Sequence, residues 1–252
     1  MISREQMLEA AKDPLIVGLK TTAFSAKDVV NLILQRSEII GDQPRPGRVV
    51  KAWETGDITP ALQLVERMGD ELIRRAAGII LLEYREIKST IDTVSPSRVA
   101  DIGCGYAMFD LFLWQDHGSE LLLVDLEQSD ERHFGYRETG AAYSNLDVAK
   151  AFLTDNGVDA EHVTCLNPET QDILAQAPVD LAVSFISCGF HYPVDTYMPF
   201  FDRNVAAGGK VILDFRARKA REGREKLSAL GAVATLTDSA NGNAKRVVLN
   251  KR

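Results

Sequence analysis

Two acidic residues and two glycines stand at positions suited to holding a nucleotide-like ligand. An apolar strand that contains Asp101 runs into a turn with Gly103 and Gly105, and an amphipathic helix follows. Glycine lets the backbone turn tightly and lets a ligand approach it closely. Asp125 comes 24 positions after Asp101, at the end of a second apolar strand. A carboxylate there can bind both hydroxyls of a ribose, so the combination predicts an adenosyl ligand, whereas the glycine turn alone would predict only a tight strand-to-helix connection.

Dinucleotide binding is the competing interpretation of these residues. A Rossmann fingerprint also begins Gly-x-Gly and is followed by an acidic strand end. Its third glycine would fall at position 108, which is Met108 here. Asp101 lies two places before Gly103, where a carboxylate would crowd a pyrophosphate but suits the positively charged amino group of S-adenosylmethionine (SAM). The sequence therefore favours SAM over NAD.

The end of a later strand, at Ser184 to Pro193, provides the candidate chemistry for an acceptor. His191 is the candidate general base, which would remove the proton of a hydroxyl nucleophile and contribute roughly 10²- to 10⁴-fold to the rate. A histidine that stabilises the loop or stacks against the cofactor explains it equally well. Tyr192 and Tyr197 follow closely and are candidate substrate contacts.

Two other segments are candidates to cover the site. The connection between Glu127 and Asn145 is long and holds Tyr136 and Arg137, which are candidate substrate-binding residues in a lid, although an ordinary surface loop is the default. Just before the first strand, Tyr84 or Arg85 could reach the carboxylate of the cofactor. A packed helix with surface charges is the favoured interpretation there.

The elements that position these residues form an alternating pattern from about residue 95 onward. Five apolar strands each precede an amphipathic stretch, which predicts a doubly wound, Rossmann-like parallel sheet. Two further strand-like runs joined by a turn-rich segment predict a terminal antiparallel hairpin and hence seven strands. The five predicted strands are 98–102, 120–126, 163–166, 181–186 and 210–215. The helices predicted to follow them are, in the same order, 107–115, 146–156, 170–175, 197–204 and 217–230. The predicted hairpin strands are 232–237 and 246–250.

Residues 1–94 lack strand-like alternation and predict an N-terminal helical appendage to the domain at 95–252. Helices are predicted at Arg4 to Ala11, at Ala26 to Ile39, and from Pro60 onward with a break near Gly69. A lid over the site and a homodimer interface are both open as roles for this region.

Composition narrows the function further. The chain of 252 residues has a net charge of −7 and a pI near 5.2, which disfavours nucleic acid and favours a small-molecule acceptor. Cys104, Cys165 and Cys188 have no metal-type spacing and predict neither a zinc site nor disulfides. No metal is expected at the fourth strand's end either, because Ser187 and Cys188 stand where a carboxylate cluster would be needed. Without a membrane-length apolar run or a secretory signal pattern, a cytoplasmic protein is expected.

The motifs together resemble class I SAM-dependent methyltransferases over residues 95 to 252. The resemblance lies in Asp-Ile-Gly-Cys-Gly at 101–105, Leu-Val-Asp at 123–125, the fourth strand's end, and Ala-Ala-Gly-Gly-Lys-Val-Ile-Leu at 206–213. Ala107 departs from it, since many members have a third glycine there. Residues 146–157, 189–197 and 212–216 also resemble a bacterial subgroup that includes proteins assigned as sugar O-methyltransferases.

The resemblance implies an enzyme that methylates a hydroxyl of a small molecule, for example a sugar, and releases S-adenosylhomocysteine. Asp101 and the glycine turn would hold the methionine part of SAM, Asp125 the ribose, and Leu126 the adenine; Asn167 would contact the adenine amine or serve equally well as a turn residue. The alternatives are a non-catalytic SAM-binding partner subunit and an NAD-dependent oxidoreductase. The candidate cofactor-binding residues are Asp101, Gly103, Cys104, Gly105, Tyr106, Asp125, Leu126, Asn167 and Ser184.

Overall fold

The architecture is one seven-stranded sheet with helices on both faces and a helical N-terminal region. The computed structural model describes residues 2–126, 144–239 and 242–252. The strands are β1 (Arg98–Ile102), β2 (Glu120–Val124), β3 (Val163–Leu166), β4 (Val179–Ser184), β5 (Val205–Arg216), β6 (Gly231–Ser239) and β7 (Ala244–Lys251). The α-helices are α1 (Arg4–Ala10), α2 (Pro14–Val17), α3 (Ala26–Gln35), α4 (Pro46–Glu54), α5 (Thr59–Met68), α6 (Asp70–Asp92), α7 (Met108–His117), α8 (Leu146–Asp155), α9 (Met198–Arg203) and α10 (Ala220–Leu227).

The strand order is β3-β2-β1-β4-β5-β7-β6. The first five strands pair in parallel, and β7 runs antiparallel between β5 and β6. Strand β1 is central, and the order reverses beside it, between β1 and β4. Ligands of open α/β sheets bind at such a reversal, beyond the carboxyl ends of the strands. The fold thus confirms the predicted doubly wound sheet and terminal hairpin, and it places the end of β1 at the expected position of a ligand.

Alternate residues of the central strands bury opposite faces of the sheet. Val99 belongs to one hydrophobic cluster and Ala100 to the other, as the two-residue period of a strand requires. The cluster that contains Val99 also includes Ile33 of α3 and Leu72 of α6. The N-terminal helices therefore share one core with a face of the sheet.

Local sequence signals explain where several helices begin and end. Ser25 accepts a hydrogen bond from the Asp28 backbone N–H, and the Asp28 side chain accepts one from the Ser25 backbone N–H, which caps α3 reciprocally. Gly69, with φ of 51°, separates α5 from α6 at the predicted break.

Three local predictions differ from the structure. Helices α2 and α4 lie where no helix was expected, and each has a proline within its first two positions. The stretch 170–175 forms only a short 3₁₀ turn at Ile173–Ala175 instead of a helix. Pro168 and Pro178 flank that stretch, and the side chain of Asp172, its one acidic residue, accepts a hydrogen bond from the Leu174 N–H, which favours a turn over a helix. Within the described ranges, no helix is both long enough and apolar enough to span a membrane.

Candidate active site

The glycine-rich turn connects the central strand to α7 through residues in the left-handed conformation. Gly103 has φ of 77° and Gly105 has φ of 58°. A Cβ atom at Gly103 would lie 2.0 Å from Ser187 Oγ, so only glycine permits the tip of β4 to pack against the turn. Ala107 also adopts a left-handed φ, of 55°, at the position where the resemblance expects a third glycine. The turn therefore keeps the expected backbone shape with alanine at that position.

Asp125 joins the glycine-rich turn to the end of β2. One of its carboxylate oxygens accepts a hydrogen bond from the Gly105 backbone N–H at 2.9 Å, and the other accepts one from the Leu126 N–H at 2.8 Å. Gly103 adds a backbone hydrogen bond to Val124 of 2.7 Å. All five residues line one cavity at the carboxyl edge of the sheet. The two predicted motifs therefore meet in space.

Asp101 forms a buried pair with Asp110 of α7, which we call the acid pair. Asp101 lines the cavity and is 4% exposed, and Asp110 is 1% exposed. Burial raises the pKa of Asp101 well above its usual value, and repulsion from Asp110 adds to this. Burial also raises the pKa of Asp110, to about 7. Sequence analysis missed Asp110, because an aspartate in the first turn of a helix usually serves that helix terminus.

The tip of β4 forms the opposite side of the cavity. Ser184 is buried, donates a hydrogen bond to the Ile102 carbonyl at 2.5 Å, and accepts one from Cys188 N–H at 3.0 Å. Ile186 then adopts φ of 53°, a conformation rarely seen for a β-branched residue. This turn brings Ser187 into the cavity wall, where its hydroxyl lies 3.2 Å from the phenol oxygen of Tyr192.

His191, Tyr192 and Tyr197 all line the same cavity. The His191 backbone N–H donates to the Ser187 carbonyl at 2.8 Å, and its ring meets that of Phe190 edge-on at 5.0 Å. The rings of Tyr192 and Tyr197 are 6.2 Å apart. Burial raises the pKa of both phenols, so both are neutral hydroxyl groups at neutral pH. This wall is aromatic and offers hydroxyl and imidazole groups to an acceptor.

Helices α3 and α6 supply a third wall, through residues that sequence analysis did not single out. Tyr106 donates a hydrogen bond to Asp28 at 2.9 Å and accepts one from Asn31 at 3.0 Å, which fixes α3 onto the glycine-rich turn. Gln35 lies close to Gly105 and also lines the cavity. The N-terminal region thus helps to enclose the site.

Four charged residues form a buried group beside this wall, which we call the arginine network. Arg36 of α3 binds Glu83 of α6 through two hydrogen bonds of 2.9 and 2.8 Å. Arg246 of β7 binds Asp214 of β5 through two bonds of 2.8 Å and approaches Glu83 to 3.7 Å. Arg36 and Glu83 line the cavity. The network contains two positive and two negative groups.

The neighbouring Tyr84 and Arg85 do not line the cavity. The Tyr84 hydroxyl donates to Asp116 at 2.5 Å, and Arg85 pairs with Asp13 at 2.9 Å. The packed-helix interpretation therefore fits these two residues, and Glu83 is the residue of this helix turn that lines the cavity.

The structure brings most of the candidate residues to one cavity and leaves two of the described ones elsewhere. Ser184 does not line it, and Asn167 serves a turn, accepting a hydrogen bond from the Glu169 N–H at 3.0 Å. Tyr136 and Arg137 lie outside the described residues. The candidates that line the cavity are Asp101, Gly103, Cys104, Gly105, Tyr106, Asp125, Leu126, His191, Tyr192 and Tyr197.

Known proteins resemble this chain in fold but not in sequence. No protein-family model and no curated protein sequence matches the chain. A candidate O-methyltransferase of known structure from Nostoc punctiforme superposes on 89% of this chain and 72% of its own, with a TM-score of 0.54 and 13% identity. Cofactor-bound Rv0187 from MTB covers 77% of this chain and 96% of its own, with a TM-score of 0.50 and 16% identity. With the strand order above, these similarities show that the chain has the fold of class I SAM-dependent methyltransferases.

Proposed function

We propose that this protein binds SAM and transfers its methyl group to a hydroxyl of a small molecule, for example a sugar, releasing S-adenosylhomocysteine. The observation that carries the proposal is the convergence of Asp101, Gly103, Gly105 and Asp125 on one cavity at the reversal point of a methyltransferase-type sheet. Each residue type has a ligand group to match it, and their arrangement agrees with the fold.

The cavity residues fit the parts of SAM. Asp125 is positioned to bind ribose hydroxyls, and Leu126 beside it offers an apolar surface to the adenine. Gly103 and Gly105 adopt a left-handed backbone conformation. As glycines they have no Cβ that could obstruct the methionine part of SAM. Asp101 has a buried oxygen, Oδ1, without a hydrogen-bond partner among the described residues, and the ammonium group of SAM is a suitable donor.

The acceptor would lie between the glycine-rich turn and the tip of β4. SAM supplies an electrophilic methyl group on a sulfonium, so the protein must align a nucleophile in line with it, exclude water and remove a proton. We assign proton removal to His191, and contacts with the acceptor to Tyr192 and Tyr197. A purely structural role for His191 in the loop is the alternative. The aromatic wall and the net charge of −7 support a small organic acceptor over a nucleic acid.

The N-terminal helices are best explained as a cover for this site. Gln35, Arg36, Ile80 and Glu83 supply part of the cavity wall, and the hydrogen bonds of Tyr106 hold α3 in place. Excluding water from a methyl-transfer site requires such a cover. This observation supports the lid role for residues 1–94, and it leaves a dimer interface as a separate proposal for their outer surface.

Calorimetry with S-adenosylhomocysteine tests the cofactor, with NAD as the competing ligand. We expect micromolar binding of S-adenosylhomocysteine, no measurable binding of NAD, and at least about 30-fold weaker binding in Asp125→Ala, because two charge-assisted hydrogen bonds are lost. Asp147→Ala removes an exposed carboxylate of α8 and is the matched control. Preference for NAD would favour an oxidoreductase and overturn the proposal.

The variant His191→Ala separates an enzyme from a silent SAM-binding subunit. The measurement is release of S-adenosylhomocysteine from SAM in the presence of a panel of hydroxylated acceptors. For a general base, turnover should fall roughly 10²- to 10⁴-fold while affinity for S-adenosylhomocysteine changes little. No turnover by the unmodified protein with any hydroxylated acceptor would favour the silent subunit. Unchanged turnover in His191→Ala would favour the structural role.

A further inference from the structure

The acid pair is a buried group whose chemistry is incomplete within the chain. Asp101 belongs to β1 and Asp110 to α7, and the two carboxyl groups lie close enough to interact electrostatically. Asp101 Oδ1 and both carboxyl oxygens of Asp110 are buried and have no hydrogen-bond donor among the described residues. A buried polar atom without a donor costs about 1 to 3 kcal/mol. The pair therefore needs either its own protons or a donor from beyond the residues that the structure describes.

Among the described residues, the charged groups around the cavity do not neutralise the pair. Arg36 is the one arginine in the described part of the cavity wall. Both terminal nitrogens of its guanidinium group donate hydrogen bonds to Glu83. Asp125 adds negative charge and contributes to the raised pKa of Asp101. The other ionisable groups that line the cavity are Cys104, Tyr106, His191, Tyr192 and Tyr197.

Two carboxyl groups in such a setting retain protons that exposed carboxyl groups release. Ionisation of both would place two negative charges side by side in a medium of low polarity. Burial raises the pKa of Asp110 to about 7 and that of Asp101 well above its usual value. Below neutral pH Asp110 therefore holds a proton in the empty pair, and the raised pKa of Asp101 favours a proton on that group as well.

We propose that Asp110 is a positioning residue that shares protons with Asp101, and that the ammonium group of SAM or S-adenosylhomocysteine displaces one proton from the pair on binding. The O–H bond of one carboxylic acid breaks, and the proton leaves to water. An N–H of the ammonium group then donates to Asp101, while the proton that stays bridges Asp101 and Asp110. This inference rests on the proposed function and adds a proton linkage to it.

The linkage has a defined direction. Binding of the ligand's ammonium group requires the acid pair to release a proton. At low pH the pair holds that proton firmly and the ligand binds weakly, so its affinity should rise with pH through the range in which the empty pair titrates. For one proton and a midpoint near 7, affinity should increase about eightfold between about pH 6 and 7.5. The amino group of the ligand stays charged over this range, so the change belongs to the protein.

The test is calorimetric titration with S-adenosylhomocysteine across this pH range, in two buffers of different ionisation enthalpy. The difference in heat between the buffers gives the number of protons released. 5′-Methylthioadenosine is the control ligand, because it keeps the adenosine and the sulfur but lacks the ammonium group. Asp110→Asn is the test variant, and Asp147→Asn, at an exposed carboxylate, is matched to it in charge.

For the unmodified protein and for Asp147→Asn we expect the eightfold rise with S-adenosylhomocysteine, release of up to one proton, and a flat profile with 5′-methylthioadenosine. In Asp110→Asn the amide can donate to Asp101 and no like charge opposes its ionisation. The rise should then shrink to less than about threefold, mainly through tighter binding at pH 6. Because His191 is unchanged in this variant, the difference between the two profiles belongs to Asp110.

Three results would overturn the inference. One is an S-adenosylhomocysteine affinity that is flat with pH and releases no proton, and this result leaves the proposed function intact. Another is an equal rise of affinity with pH for 5′-methylthioadenosine, a result that the unmodified protein alone can give. The third is an unaltered profile in Asp110→Asn. Absence of S-adenosylhomocysteine binding at every pH would instead overturn the proposed function, and the inference with it.

Discussion

The arginine network and the acid pair border the same cavity and differ in how their charges are balanced. In the network, Arg36 faces Glu83 and Arg246 faces Asp214, each through two hydrogen bonds. Residues from α3, α6, β5 and β7 thereby complete one another. The acid pair, from β1 and α7, brings together two groups of the same sign.

The difference separates a structural role from a ligand-related one. A buried ion pair whose charges are balanced inside the chain holds its elements together, and within this network Arg246 Nη1 is the one buried polar atom without a hydrogen-bond partner among the described residues. A buried acidic group without a donor lowers stability until a proton or a cation completes it. Cavity lining alone does not distinguish the two, because Glu83 and Asp101 both line the wall. Charge balance does distinguish them, and it predicts that removing a charge lowers stability in the arginine network and raises it in the acid pair.

The largest expected effect is in the arginine network. Arg246 is fully buried, and Arg246→Met should cost about 3 to 5 kcal/mol of the free energy of unfolding, because it leaves Asp214 buried without its partner. Urea denaturation measures this. Lys245→Met, next to it on β7, breaks the partly exposed contact with Asp238 and should cost less than about 1 kcal/mol.

A second substitution checks the reason for that loss. If the unpaired carboxylate is responsible, Arg246→Met combined with Asp214→Leu should recover at least half of the loss, since an apolar pair replaces a buried ion pair at little cost. Equal stability of Arg246→Met and Lys245→Met would contradict the structural role of the network.

The next effect, of opposite sign, is in the acid pair. Burial raises the pKa of Asp110 from an ordinary 3.8 to about 7, so between these values the folded protein holds a proton that the unfolded chain has released. Stability therefore falls as pH rises through that window. Asp110→Asn should increase the free energy of unfolding by about 2 to 4 kcal/mol at pH 7.5, and the gain should vanish near pH 4.

Urea denaturation of the ligand-free protein at several pH values measures this gain. Asp147→Asn, at an exposed position, is the control and should change stability by less than about 0.5 kcal/mol at every pH. A loss of stability in Asp110→Asn at pH 7.5 would mean that the carboxylate has a partner in the folded chain, and the contrast with the network would fail.

The acid pair and the network also show what a sequence can and cannot predict here. The glycine turn, Asp101 and Asp125 are local signals at strand ends, and the parallel sheet brings strand ends together. The doubly wound parallel sheet follows from the alternation of strands and helices. These parts are predictable because each depends on neighbouring residues or on a general rule of topology.

Contacts between distant elements escaped sequence analysis. Arg36, Glu83, Asp214 and Arg246 belong to four elements, and nothing local distinguishes them from surface charges. Ser184 shows a related limit, since a short polar residue at a strand end can face a ligand or satisfy the backbone, as it does here. Pairing across elements depends on packing, and packing is fixed only in three dimensions.

The smallest predicted effect on stability is that of Glu83→Gln. This variant makes the same carboxyl-to-amide change in the arginine network that Asp110→Asn makes in the acid pair, so the two can be compared directly. Burial alone would raise the pKa of Glu83, but Arg36 and Arg246 outweigh it and lower the pKa. Glu83 therefore adds stability above its unfolded pKa, and this is lost as pH falls through the folded value. Glu83→Gln should cost about 1 to 3 kcal/mol at pH 7.5 and progressively less in acid. In urea denaturation at pH 7.5, Asp110→Asn should have a higher free energy of unfolding than the unmodified protein and Glu83→Gln a lower one, and the three values should converge as the pH falls. If both variants are more stable, or both less stable, than the unmodified protein at pH 7.5, charge balance does not distinguish the two clusters.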